Sequence, residues 1–271
     1  MNQTIAFIGG GNMASAIIHG LRAGAAPPPK LLVVEPHEPA RRKLQADFGV
    51  DAMEHAGPQL QAADLVVWAV KPQLFQQAAQ QGAEFTRNAL HLSVAAGIPS
   101  DSIARWLGTQ SVVRAMPNTP ALIGKGITAL FARAGVTPAQ CAQIEHVARS
   151  TGEFLWLDAE EKLDAVTALS GSGPAYVFYF LEAMAACGTS MGLTAQQAHQ
   201  LAVATFVGAS ELARSSDDSP QVLRQRVTSK GGTTHAAISS MENAGLRQLF
   251  ENAIFAAQRR AQEMGQEFGA S

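Results

Sequence analysis

Ile8-Gly9-Gly10-Gly11-Asn12-Met13-Ala14 is the first segment of the 271-residue sequence whose residue types and spacing could do chemistry. Gly9, Gly11 and Ala14 stand at the three small positions of G-x-G-x-x-[GA]. The first permits a tight turn, the second lets backbone approach a pyrophosphate, and the third lets a helix pack closely on a strand. Asn12 leads into that helix and Met13 opens it, and the free N–H groups at its start would cradle an anion. The pattern alone is weak evidence, but here it follows the apolar β-type run Thr4-Ile5-Ala6-Phe7-Ile8 and opens a helical pattern. Glu35, 21 residues after Ala14, ends the next apolar run. An acidic side chain there accepts from a ribose 2′-hydroxyl and repels a 2′-phosphate, which favours NADH. His37, Arg41 and Arg42 follow closely and could host that phosphate, so NADH and NADPH both stand as candidate cofactors.

Further candidates recur where later apolar runs end. Val70-Lys71-Pro72 follows the run at 63–70, and the carboxyl ends of parallel strands are where a dinucleotide lies, so Val70, Lys71 and Pro72 are expected to face it. Ala95 and Ala96 occupy the analogous place after the run at 91–95, small enough to leave room for a nicotinamide ribose. Arg114-Ala115-Met116-Pro117-Asn118-Thr119-Pro120-Ala121 forms a loop stiffened by two prolines, in which Asn118 could orient a ring or a carboxamide. Leu169-Ser170-Gly171-Ser172-Gly173-Pro174 sets glycines and a proline inside a strong helix pattern, and such rule-breaking often marks a site, here with Ser172 at its centre. Thr228-Ser229-Lys230-Gly231-Gly232-Thr233-Thr234 joins two helical patterns and offers both N–H groups and hydroxyls to a small carboxylate or phosphate. The histidines lie in unrelated contexts and no catalytic dyad stands out. Hydride transfer to an already electrophilic carbon needs none.

The elements that must position these residues follow from periodicity. Short β-type runs at 4–8, 31–34, 63–70, 91–95, 112–116 and 127–131, interleaved with helical stretches such as 13–23 and 39–47, predict a doubly wound α/β sheet of parallel strands. From about residue 159 the chain becomes alanine-rich and helical throughout. A long helix over 160–192 is expected to bend near Gly171–Pro174, and Thr194, Ser219 and Thr234 are expected to cap three later helices. The expected division is therefore a dinucleotide-binding domain over 1–158 and a helical domain over 159–271.

Composition narrows the classes. Lys and Arg total 20 against 22 Asp and Glu, a net charge of −2, which argues against a nucleic-acid partner. Two cysteines and seven dispersed histidines give no metal-ligand spacing, so no metal is expected. Glu182 and the glycine–proline segment interrupt the most apolar stretch, so no membrane span is expected, and with no signal-peptide pattern the chain reads as cytoplasmic. Only 15% of residues are charged against 47% hydrophobic, low for a soluble domain, which suggests either a large core or a surface hidden in an oligomer.

Taken in order, the segments Phe7–Ala14, Ala69-Val70-Lys71-Pro72-Gln73, Arg114–Ala121, Ser170-Gly171-Ser172-Gly173-Pro174-Ala175-Tyr176 and Ser229-Lys230-Gly231-Gly232-Thr233-Thr234 resemble the pyrroline-5-carboxylate reductase family over essentially the whole chain. The resemblance implies a Rossmann-like first domain and reduction of L-Δ1-pyrroline-5-carboxylate to L-proline by NADPH or NADH. It implies that the substrate carboxylate rests near Ser229, Gly231, Gly232, Thr233 and Thr234, with the Thr234 hydroxyl close to the ring nitrogen. It also implies a homodimer through the helical domain, each site completed by elements of both chains, and assembly into higher oligomers. Three positions depart from the family pattern: Lys230 stands for a common proline, Glu35 for a small polar residue, and Ala56 for an asparagine near the adenosine ribose. A β-hydroxyacid dehydrogenase is the nearest enzyme alternative, but the lysine it needs on the long helix is missing between Gly171 and Met184. A non-enzymatic NAD(P)H sensor is the other alternative, and it has no need of a second carboxylate-binding loop.

Overall fold

Each β-type run becomes a strand of one seven-stranded sheet in the computed structural model, which describes residues 3–24 and 28–269. The chain runs β1 (Thr4–Ile8), α1 (Asn12–Ala23), β2 (Lys30–Val34), α2 (Glu38–Phe48), β3 (Leu65–Trp68), α3 (Pro72–Thr86), β4 (Leu90–Ser93), α4 (Ser100–Leu107) and β5 (Val112–Met116). It continues through β6 (Gly126–Ala132), α5 (Pro138–Arg149), β7 (Gly152–Trp156) and α6 (Lys162–Val166). The sheet order is β2-β1-β3-β4-β5-β6-β7. Because β2 lies on one side of β1 and β3 on the other, the winding reverses beside β1, the point where a ligand crevice opens in such sheets.

Alternation sorts the strand residues onto two cores. Ile5, Phe7, Leu65 and Val67 pack with Ile17 and Ile18 of α1 and Leu44 of α2. Ala6, Ile8, Val66 and Trp68 pack with Phe75 of α3 and Ile103 and Leu107 of α4. Both faces are covered, which is why these strands read as continuous apolar runs rather than alternating ones. Burying each Leu, Ile or Phe contributes roughly 1.5–3 kcal/mol.

Two features depart from an all-parallel sheet. β6 runs antiparallel to β5, because the chain between Met116 and Gly126 is too short for a parallel crossover. β7, which the sequence reading does not include, pairs parallel with β6 at the sheet edge. Its Gly-Glu-Phe-Leu-Trp sequence carries a charge, and its half-exposed pattern gives no continuous apolar run.

The helical part continues with α7 (Gly173–Ser190), α8 (Ala195–Ser215), α9 (Pro220–Arg226), α10 (Thr233–Asn243) and α11 (Leu246–Gly269). Thr194 and Ser219 cap α8 and α9 as their positions predict. Thr234 does not cap α10: Gly232 takes that position and Thr234 lies in the first turn. Contacts divide the chain into Met1–Ser172 with Ala257–Ser271, and Gly173–Ala256. This division falls later than residue 158, for identifiable reasons. Glu160 accepts from Ser100 N–H at 2.6 Å and pairs with the buried Arg114 of β5 at 2.7 Å. The end of α11 returns to the sheet unit, where Met264 lies against Gly97 and Ser102 donates to the Gly269 carbonyl at 3.0 Å.

Beneath the sheet, Trp68 donates its indole N–H to His91 Nδ1 at 3.0 Å, both side chains being fully buried. Burial lowers the His91 pKa from 6.5 to about 4, outweighing an opposing contribution from the Thr86 carbonyl. Between those values the unfolded chain binds a proton that the folded chain does not, so this contribution to stability is complete above pH 6.5 and is lost as pH falls toward 4. By pH 5 the loss is about 2 kcal/mol. Thermal melts at pH 7 and pH 5 should therefore show a smaller acid-induced drop for His91→Gln than for the wild type; equal drops would remove His91 from the acid response.

Candidate active site

β1 runs directly into a residue that cannot carry a side chain. Gly9 has φ +96°, and a Cβ there would lie 2.6 Å from the Ala69 carbonyl oxygen just beyond β3. Its N–H donates to the Val34 carbonyl at the end of β2 (2.8 Å). Gly11 differs: a Cβ on it would meet nothing within 4 Å, so its bareness answers to the open cleft rather than to protein packing. Gly11 is also the N-cap of α1 and supplies no side-chain cap, leaving the first-turn N–H groups of Asn12, Met13 and Ala14 without intrahelical acceptors.

A cleft of about 590 Å³ opens here, lined by Gly9, Gly11, Glu35, Ala69, Val70 and Lys71 among others. It lies at the carboxyl ends of β1, β2 and β3. Its far wall comes from 53–56, of which only Ala56 is marked, by the family resemblance: Met53 bridges Val34 in parallel and accepts from Glu35 N–H at 2.8 Å, carrying Glu54, His55 and Ala56 to the rim. Within the cleft, Glu35 Oε2 accepts from Gly10 N–H at 2.7 Å and Oε1 from His37 N–H at 2.8 Å. A bare glycine turn and an uncapped helix start supply the N–H donors a dinucleotide needs, and an acidic side chain at the second strand's end supplies the acceptor for its ribose; together they fit NAD(P)H. Pro72 follows Lys71 as the first residue of α3, while Ala95, buried, and Ala96 follow β4. Arg41 and Arg42, which the sequence leaves free to face a phosphate, are both engaged: Arg41 with Glu54 at 3.3 Å and Arg42 with Glu38 at 2.5 Å.

After β5, Asn118 is held at both ends of its amide. Its Oδ1 accepts from Ile127 N–H at 3.0 Å, and its Nδ2 donates to the Ser170 carbonyl at 3.2 Å. Ser170 belongs to a π turn over Thr167–Gly171, closed by Ser172 N–H donating to Thr167 O at 2.8 Å. In place of a simple proline bend, the chain inserts this wider turn ahead of α7. Pro174 has no N–H to offer the Ser170 carbonyl, and Asn118 supplies the missing donor.

In the helical unit, the loop between α9 and α10 turns at Gly231 (φ +80°), and Gly232 N–H donates to Ser229 O at 3.0 Å. Gly232 gives α10 no side-chain cap, so the N–H groups of Thr233 and Thr234 have no intrahelical acceptor. Ser229 and Thr233 are exposed and Thr234 half-buried. Arg224 and Glu242 join the two helices at 2.7 Å. The described residues hold no cluster of three potential metal ligands, and none of their helices is long and apolar enough to cross a membrane.

The glycine turn, the cleft and the order of the sheet define an NAD(P)-dependent oxidoreductase with a Rossmann-like domain and a helical C-terminal region. The family model for the NADP oxidoreductase, coenzyme F420-dependent, matches residues 4–97, and that for pyrroline-5-carboxylate reductase dimerisation matches residues 160–264. The pyrroline-5-carboxylate reductase of Pseudomonas aeruginosa is 43% identical over 98% of both chains. The solved pyrroline-5-carboxylate reductase of Coxiella burnetii is 37% identical, covering 97% of this chain and 99% of its own, with a TM-score of 0.88. That of Plasmodium falciparum, solved with NADP bound, is 26% identical over 97% and 98%, also with a TM-score of 0.88. The chain belongs to the pyrroline-5-carboxylate reductase family, and its dimerisation region makes it a homo-oligomer.

Removing the Asn118 amide would leave the Ser170 carbonyl and the Ile127 N–H without their partners, at about 1–3 kcal/mol for each group left unsatisfied. Asn118→Ala should lower the urea midpoint accordingly. Asn118→Asp, which keeps the acceptor but sets a carboxylate against the Ser170 carbonyl, should be no more stable than Asn118→Ala. A wild-type midpoint in Asn118→Ala would show that the clamp contributes nothing.

Proposed function

We propose that the chain catalyses the last step of proline synthesis, the NAD(P)H-dependent reduction of L-Δ1-pyrroline-5-carboxylate to L-proline. The observation that carries this reading is the second anion-binding element: a glycine turn and uncapped helix start at Ser229–Thr234, on a chain that already has one such element for a dinucleotide. Near-full-length identity to reductases named for this substrate supports it. When bound in the cleft, the nicotinamide supplies a hydride to C5 of the cyclic imine.

The residues assigned to the cofactor are Gly9, Gly11, Asn12, Met13, Glu35, Val70, Lys71, Pro72, Ala95 and Ala96. The first-turn N–H groups of Thr233 and Thr234, with the Gly231 N–H and the Ser229 hydroxyl, hold the substrate carboxylate, and Gly232 keeps the turn narrow: a Cβ there would lie 2.8 Å from Ser229 Oγ. Asn118 and Ser172 belong to the substrate side as well, Asn118 through the π turn it holds. The protonated imine is the electrophile. As hydride adds to C5, the C=N electron pair returns to nitrogen, leaving a secondary amine. The Thr234 hydroxyl hydrogen-bonds at that nitrogen, which keeps the proton it already carries, and relays a further proton from solvent to the new lone pair, while most of the acceleration comes from positioning C5.

As functional regions rather than compact units, 1–158 binds the dinucleotide and 159–271 the substrate and the partner chain; a homodimer through the helices, higher assembly and a cytoplasmic location belong to the same proposal. A β-hydroxyacid dehydrogenase is disfavoured because Glu182 is the only charged residue between Gly171 and Met184.

NADH or NADPH oxidation should be rapid with pyrroline-5-carboxylate and absent with hydroxyisobutyrate-type acids; no turnover of the pyrroline sinks the proposal. Thr234→Ala should lower kcat by on the order of 10²-fold while nucleotide binding survives. An unchanged kcat would take Thr234 out of the mechanism.

A further inference from the structure

We infer that the adenosine end of the cleft is set for NADH against NADPH, with Glu35 reading the 2′ position and Glu54 withholding the nearest arginine from it. The inference rests on the reductase reading only for its turnover assay, not for its binding test.

Glu35 is half-buried at the end of β2, and its carboxylate is fixed from both sides. Oε2 accepts from Gly10 N–H inside the glycine turn (2.7 Å), and Oε1 accepts from His37 N–H (2.8 Å). A carboxylate has about four lone-pair sites, so two backbone donors orient it and still leave each oxygen able to accept from a ribose hydroxyl. The Glu35 side chain cannot swing aside without giving up both donors, one of them in the turn that shapes the pyrophosphate site. A 2′-phosphate, carrying about −1.5 to −2 charge at neutral pH, would therefore meet a fixed negative group.

Among the described residues, neither arginine of α2 is free to compensate, which leaves only the His37 imidazole as a basic group lining the cleft on that side. Arg41 comes closest in sequence, but its NH1 donates to the carbonyls of Glu35 (2.9 Å) and Pro36 (2.6 Å), and its NH2 pairs with Glu54 at 3.3 Å. Its side chain is only 19% exposed. Arg42 is paired with Glu38. His55 lies with Nε2 3.6 Å from Glu54, and Lys71 enters the cleft from the end of β3, not from the β2 side. Glu54 also lines the cleft, so the wall carries two carboxylates where NADPH recognition calls for an arginine. Glu54 thus has a double effect: it adds negative charge, and it occupies the guanidinium that could have offset it.

The test is binding of NADH and NADPH to the full-length protein without substrate, read by reduced-nicotinamide fluorescence. Wild type should bind NADH about tenfold or more tightly than NADPH, that is by about 1.4 kcal/mol or more. Glu35→Gln keeps an acceptor and removes the charge, and it should shrink the ratio severalfold while NADH still binds. Glu35→Gln with Glu54→Gln should shrink it further, because Arg41 is released toward the 2′ position. Equal or tighter NADPH binding by wild type, or an unchanged ratio in Glu35→Gln, would overturn the inference. The ratio of kcat/KM with pyrroline-5-carboxylate should follow the binding ratio. A preserved NADH preference with no pyrroline turnover would sink the proposed reaction and leave the cofactor inference standing.

Discussion

Everything at the cofactor end depends on how closely β1 and β3 approach at their carboxyl ends. Gly9 sits where a Cβ would lie 2.6 Å from the Ala69 carbonyl, while its N–H reaches Val34 on the other side. Three strand ends thus converge on one residue without a side chain. With Gly9 fixed, Gly10 N–H points at Glu35 and Gly11 opens on the cleft. With β3 drawn in, Val70 and Lys71 arrive on the opposite wall. Any side chain at Gly9 would part β1 from β3 and misplace both walls together, besides demanding a φ that L-residues rarely adopt.

A second constraint is polar rather than steric. Buried backbone groups must be paired, and Pro174 removes a donor that the Ser170 carbonyl would otherwise receive. The chain resolves this with a π turn and the Asn118 amide, so a stiff loop after β5 and the start of the long helix answer to one side chain. Glu160 plays a comparable part nearby, collecting the Ser100 N–H and the Arg114 guanidinium.

Local chemistry made much of this legible in the sequence. Apolar runs located the strands through β6, glycine spacing located the turn, and Thr194 and Ser219 announced their helices. The resemblance, not periodicity, pointed to the reaction. Other features depended on partners distant in sequence. β7 is an edge strand with Glu153 in it and so lacks a buried strand's signature. Arg41 reads as a solvated helix residue until Met53 pairs with Val34 and brings Glu54 beside it. Asn118 reads as a free amide until the π turn takes its donor. Thr234 has the composition of a cap, but Gly232 takes the extended conformation that a cap requires.

The low charge noted in the sequence lies open on the helices. Between Gly173 and Ala256 only Gly188, Ala198 and Ala202 are fully buried among the described residues, while Phe178, Tyr179, Met191, Leu201, Val207 and Leu249 are largely exposed. Three small residues make a poor core for a segment of that length. In the homodimer proposed through these helices the segment would draw part of its free energy from association, and mass action would link its stability to protein concentration. Dilution would then act on the helices as a denaturant does, while the doubly wound sheet has a core of its own.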